Sequence, residues 1–387
     1  MLKKINAWFH LWVGIITGIP VVIISITGCV LVFEQDVNAL FQSWRSVEHQ
    51  VGQKMLPPSI IYATLKKTMP GVDVHGFWYE GLDKPVKVTI DSDSILYVNP
   101  YTAAQLAFID HEDFFHFVEE GHLYLWMPPK IGRQVVSWCT AVFFLLLLTG
   151  LILWFPVKWN SKTVEKSFKV KWNAKFKRLN YDLHNVLGFY SLLLAVLMAV
   201  TGLIMGFPLV RQSVYWLSGG TAEKDTKVEV TEILPAFDGN LMQKVDAVWE
   251  KVRTEYGEKN KDAVIIHFPE EAGEAIYACT DMYNGNWRDL YFDQETLSLL
   301  PSSRPKIGDL NTADWIMRSN YALHTGLIGG LITKILYFLA SLICASLPVT
   351  GFLIWYHRTF RKKKKNHVSS RPVSKSGPKA ISTNVLP

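Results

Sequence analysis

Four stretches of the chain, residues 11–33, 134–157, 185–210 and 335–356, are apolar and carry no charge. Each is long enough to cross a hydrocarbon core of about 30 Å at about 1.5 Å of rise per residue. The pattern therefore predicts four transmembrane helices. Between the first and second stretches the pattern changes character. Residues 60–69 are amphipathic with a helical period, with Ser59 as N-cap and Pro70-Gly71 as a stop. Alternation of apolar and polar positions at 72–74, 86–90 and 95–98 predicts three strands, with turns at 81–83 and 91–93. After the third stretch, 241–256 reads as a helix and 263–268, 275–280 and 289–293 as strands.

The order is helix, α+β module, helix, link, helix, α+β module, helix, which is a tandem duplication. The boundaries are 1–34 for transmembrane helix 1, 35–130 for the first module and 131–157 for helix 2. A link follows at 158–183, then helix 3 at 184–210, the second module at 211–322, helix 4 at 323–357 and a tail at 358–387.

Charge orients this plan. Lys3 and Lys4 precede helix 1, Lys158 to Arg178 fill the link, and Arg358, Arg361 and Lys362 to Lys365 follow helix 4. The positive-inside rule makes these three segments, and so both termini, cytoplasmic. The two modules are then extracytoplasmic. The chain has 387 residues and is only 19% charged, against about 25% for soluble domains, so the apolar runs dominate its solubility. Its net charge of +6 does not indicate nucleic acid, because the basic clusters sit at helix ends where membrane lipid headgroups account for them. The four cysteines, Cys29, Cys139, Cys279 and Cys344, have no metal-like spacing. Ile26-Thr27-Gly28-Cys29 resembles a lipoprotein cleavage box, but the same Thr-Gly recurs in helix 3, where no cleavage is meant, and Cys29 is followed by further apolar residues.

The duplication is visible residue by residue. Gly14 follows His10 by four and Thr27-Gly28 begins 17 after it; Gly188 and Thr201-Gly202 stand at the same distances from His184. Helices 2 and 4 share Thr149-Gly150 and Thr350-Gly351, each with a Trp four residues after its Gly, Trp154 and Trp355. His122 lies 27 residues before Thr149 and His324 lies 26 before Thr350. Pro128-Pro129 stands between His122 and helix 2, so a continuous helix is not required there. Six of the eleven histidines, His10, His116, His122, His184, His324 and His357, lie at helix ends. A single His at an interface can simply be solvated. The duplication instead sends one His from each half to each membrane face: His10 with His184 inside, His122 with His324 outside.

Two imidazoles from facing helices are how helical bundles hold b-type haem. Gly14 and Gly188 would let such a macrocycle lie against the backbone. Zinc would want Cys or carboxylate company and has none nearby in sequence. A proton relay is a second reading, although such relays usually recruit Asp or Glu within the span, and these four spans contain neither.

The paired His-x3-Gly and Thr-Gly motifs, the outer histidines and the intervening modules resemble the PepSY-associated transmembrane helix family. These are iron-regulated inner-membrane proteins that include di-haem ferrisiderophore reductases. The resemblance covers residues 1–360. It implies two haem b groups with iron ligands His10, His184, His122 and His324, and an oxidoreductase of the bacterial inner membrane. The acceptor would be a ferric siderophore or other ferric chelate on the periplasmic side. One departure is that the first outer motif offers two imidazoles, His116 and His122; the spacing favours His122 and His116 is the alternative.

No nucleotide-binding fingerprint lies on the cytoplasmic side, so the donor is a quinol or a separate reductase. Trp78, Tyr79, Tyr283 and Trp287 are aromatic residues near turns that either meet the acceptor or belong to the module core. Two rival functions stand beside this one. The first is a PepSY-type peptide-binding or protease-regulating membrane protein without redox activity. The second is an iron or chelate transporter, for which spans without a carboxylate are a poor cation path. The sequence carries no signal of oligomeric state.

Overall fold

The computed structural model describes all residues except 50–51, 91–93, 110–113, 157, 222–235, 258–262, 270, 272, 283–286 and 361–387. The turn at 91–93, Tyr283 and the basic residues Arg361 to Lys365 lie outside the described residues. The chain begins with α1 (Leu2–Ile16) and α2 (Gly18–Leu31), bent by 65° at Thr17. Pro20 lacks the N–H that would reach the Ile16 carbonyl, which accounts for the break inside an otherwise apolar run. The short helix α3 (Glu34–Phe41) follows, then α4 (Pro58–Thr68).

The N-cap of α4 is Pro57, so Ser59 is not the cap. Ser59 instead lies in the first turn, where its N–H and Oγ–H both donate to Asp246 at 2.9 and 2.5 Å. Strands β1 (Val74–Tyr79), β2 (Val86–Ile90), β3 (Ile95–Val98) and β4 (Gln105–Ile109) come next, one more strand than the alternation predicts. β4 is the sheet's edge, and its partly exposed residues give a weak alternation signal.

α5 (Phe114–Tyr124) leads through Leu125 and Trp126, both at positive φ, into the long helix α6 (Pro129–Trp154). The link holds α7 (Ser161–Phe168) and α8 (Phe176–Asp182). A π turn at Leu183–Leu187 joins α8 to α9 (Gly188–Gly206), and the three form one helix from Phe176 to Gly206. α10 (Pro208–Leu217) turns away at Pro208, so the span ends before residue 210. α11 (Leu241–Lys251) begins with a capping box, Asn240 and Gln243. β5 (Val264–His267), β6 (Ile276–Thr280) and β7 (Arg288–Phe292) close the second half's strands. α12 (Thr312–Thr325) then turns at Gly326, φ 76°, toward α13 (Gly330–Phe360).

The molecule is mainly helical. α6, the Phe176–Gly206 helix and the helical stretch Leu327–Phe360 are each long and apolar enough to cross a membrane, and α1 with α2 passes the same test as a bent pair. The chain is thus a multi-pass membrane protein carrying a β-sheet.

The sheet is a single antiparallel one in the order β4-β3-β2-β1-β5-β6-β7. The strands that the sequence assigns to two modules meet where β1 pairs with β5, Phe77 opposite Ile266 and Tyr79 opposite Val264. Gly76 permits the close approach, since a Cβ there would lie 2.8 Å from the Ile266 carbonyl. One face of the sheet packs Phe77, Tyr79, Val88, Ile266, Ala278 and Leu290 against Ile61 and Leu65 of α4 and Val245, Val248 and Trp249 of α11. Helix–sheet burial of this kind is what a half-apolar sheet needs.

Candidate functional site

The four Thr-Gly pairs do the same thing in four places. A threonine within a helix can turn its hydroxyl back onto its own backbone. Thr27 donates to the Ile23 and Ile24 carbonyls at 2.7 and 3.0 Å, and Thr201 to those of Leu197 and Met198 at 2.7 and 3.0 Å. Thr350 donates to Ser346 and Leu347 at 2.9 and 3.1 Å, and Thr149 to Leu146 at 3.0 Å. With its one hydrogen used, each hydroxyl offers lone pairs to a neighbouring helix.

A histidine fills that position every time. His10 Nδ1 is 2.9 Å from Thr149 Oγ1, His184 Nδ1 is 2.9 Å from Thr350 Oγ1, His122 Nδ1 is 3.1 Å from Thr27 Oγ1 and His324 Nδ1 is 2.9 Å from Thr201 Oγ1. Each ring also bonds the carbonyl three residues before its threonine: Ile24 at 2.9 Å for His122, Met198 at 3.1 Å for His324, Leu146 for His10 and Leu347 for His184. A carbonyl can only accept, so Nδ1 carries the proton and Nε2 presents a lone pair. No hydrogen bond to any of these four Nε2 atoms occurs among the described residues.

Glycine makes the approach sterically possible. A Cβ on Gly28, Gly150, Gly202 or Gly351 would stand 3.2, 3.1, 3.4 or 3.3 Å from the Cε1 of the histidine beside it. Gly14 and Gly188 stand against neighbouring helices: their missing Cβ atoms would meet Leu146 at 3.9 Å and Leu347 at 3.3 Å.

The histidines meet in pairs, one from each half of the chain. The rings of His10 and His184 have centroids 6.4 Å apart with planes at 88°, and those of His122 and His324 are 6.2 Å apart at 60°. His116 is not in the second pair; its Nε2 lies 3.9 Å from Glu120 on the same helix. Among the described residues no group of three or more His, Cys, Asp or Glu gathers as a metal site. The four cysteines are free.

Three asparagines that the sequence reading passes over complete the arrangement. Asn6, Asn180 and Asn320 each precede a paired histidine by four residues and donate Nδ2 to the carbonyl of that histidine's threonine, Thr149, Thr350 and Thr201, at 3.1, 3.0 and 3.1 Å. Asn-x3-His recurring three times is the signal that could find them. Among the aromatic residues near turns, Tyr79 is core and its hydroxyl donates to the Leu56 carbonyl, while Trp78 lies within β1. Trp287 is 42% exposed and its ring is 6.3 Å from that of Tyr321.

The fold and the site together define a multi-pass membrane protein with two inter-helix histidine pairs. The chain matches the PepSY-associated TM region over residues 7–358 and belongs to that family. A search of curated proteins returns no match.

The seating of the rings on glycine is testable by stability. Gly351→Val should lower stability in mixed micelles by about 1–3 kcal/mol, as overpacking does. Gly71→Ala, at a position with open space around it, should change it by less than about 0.5 kcal/mol. Equal unfolding midpoints for Gly351→Val and the wild type would refute the close ring-to-backbone contact.

Proposed function

We propose that the chain is a di-haem b electron carrier of the bacterial inner membrane that reduces a ferric siderophore or another ferric chelate on the periplasmic side. The observation that carries this reading is that two histidine pairs, each with Nδ1 committed to backbone and threonine, present Nε2 as the free nitrogen. Iron-binding imidazoles are fixed in that way, by a bond from the other ring nitrogen. Iron held by both imidazoles of a pair would lie between the two rings and would supply the redox change there. The ring centroids of the two pairs are 6.4 and 6.2 Å apart.

Under this reading His10 and His184 hold one haem, and His122 and His324 the other. Each haem, when bound, carries one electron by changing between ferric and ferrous iron. The chain's own part is to fix the ligand tautomer, seat each ring on a glycine and surround the path with apolar side chains. Leu147, Ala195, Ala199 and Cys344 form a buried cluster in the bundle. His184 and Thr201 mark the two levels on one helix, and their 17-residue separation corresponds to about 25 Å.

The α1–α2 pair serves as the fourth span, with both termini and the 158–183 link in the cytoplasm. A quinol or a separate reductase supplies electrons there. A negative-inside potential favours outward electron movement by about 2.3 kcal/mol per 100 mV across the full membrane. The ferric chelate gains the electron at the His122–His324 end, where α5 and α12 lead from the sheet to the long helices.

Topology is tested by labelling intact cells that carry a cysteine in place of Lys169. Protection from a membrane-impermeant thiol reagent is expected, and labelling from outside would refute the orientation. The site is tested by the visible spectrum of the purified protein, where two haems per chain with sharp bands on reduction are expected. His10→Ala and His184→Ala should lose the same haem, and His122→Ala and His324→Ala the other. A colourless wild-type protein would favour the peptide-binding reading, and two haems retained in His184→Ala would refute the pairing.

A further inference from the structure

The four ligand units are not equal. Asn and His separated by four residues share one helix face, so Asn6, Asn180 and Asn320 attach their helices to the Thr-Gly helix one turn away from the ring. His10, His184 and His324 are thereby tied at two levels. The residue four before His122 is Val118, buried at 6% exposure, which has no side-chain donor. Among the described residues the His122 ring is tied only at Thr27 and Ile24.

The two helices that carry the outer pair also leave differently. α5 leaves through Leu125 and Trp126 at φ 52° and 56°, a region that costs a side-chain-bearing residue energy, whereas α12 leaves through Gly326, which adopts it freely.

Building on the di-haem reading, we propose that the three asparagines are positioning residues and that His122 is the exchangeable ligand. The outer site therefore admits a small neutral π-acceptor such as carbon monoxide, and the inner site does not. In the exchange the bond from iron to His122 Nε2 breaks and one from iron to the carbon of the probe forms. The iron stays ferrous, and the released imidazole stays neutral with its proton on Nδ1.

The test uses the full-length protein in detergent, reduced with dithionite and mixed with carbon monoxide. Half of the haem should shift its absorption bands. Asn320→Ala, which leaves His324 tied as His122 is, should add a second exchange route at the outer haem and speed that reaction roughly twofold. Asn180→Ala should leave the rate of the reactive half unchanged. Val118→Asn, which offers the helix of His122 the missing donor, should slow it roughly fivefold, the equivalent of about 1 kcal/mol, if the variant folds, and the two asparagine variants decide the matter if it does not. Both haems shifting together would overturn the proposal. So would acceleration by Asn180→Ala without acceleration by Asn320→Ala. Two haems that ignore carbon monoxide overturn this inference and leave the di-haem reading standing, whereas a protein without haem overturns the di-haem reading itself.

Discussion

The bond from a histidine Nδ1 to a threonine hydroxyl and the carbonyl one turn before it is the interaction on which the bundle depends. It occurs four times and always joins helices of the same half of the chain: His10 to Thr149, His122 to Thr27, His184 to Thr350 and His324 to Thr201. The ring contacts run the other way, from one half to the other. Each half therefore builds two oriented imidazoles by itself, and the two halves meet where the imidazoles face. The sheet repeats this logic outside the helices, because each half supplies its own strands and the halves join at β1 and β5.

This arrangement explains why small residues sit where they do. A histidine ring whose Nδ1–Cε1 edge meets a neighbouring helix needs a position without a Cβ, and the glycine after each threonine supplies it. The threonine is equally constrained. Serine would keep the hydroxyl but lose the methyl that restricts its rotamer, and valine would keep the shape but lose the acceptor.

Much of this was legible in the chain. The charge-free runs marked three long apolar helices and the bent α1–α2 pair, and the 17-residue interval between His and Thr-Gly exposed the repeated motif. The partners of each histidine were not legible, because the spacing of 27 between His122 and Thr149 marks the repeat and names no partner; His122 bonds Thr27. Gly14 and Gly188 stand out in sequence through their distance from His, yet the glycines that meet imidazole are those after threonine. The asparagines become meaningful only once the threonine carbonyls they reach are located. The β1–β5 pairing is a contact across nearly half the chain, and strand alternation carries no information about such partners. The bend at Thr17 was encoded in Pro20, but run length outweighs a single proline when spans are counted.

On the proposed di-haem reading, one chain would hold two bis-imidazole sites of different ring geometry. Electron paramagnetic resonance of the oxidised, purified protein tests it most directly, because the ferric spectrum reports both the ligand field and the angle between the two imidazole planes. Two low-spin ferric signals of equal weight are expected, the more anisotropic from the His10–His184 site with planes at 88° and the other from the His122–His324 site at 60°. A dominant high-spin signal, a single low-spin species accounting for one iron per chain, or no haem signal would contradict it.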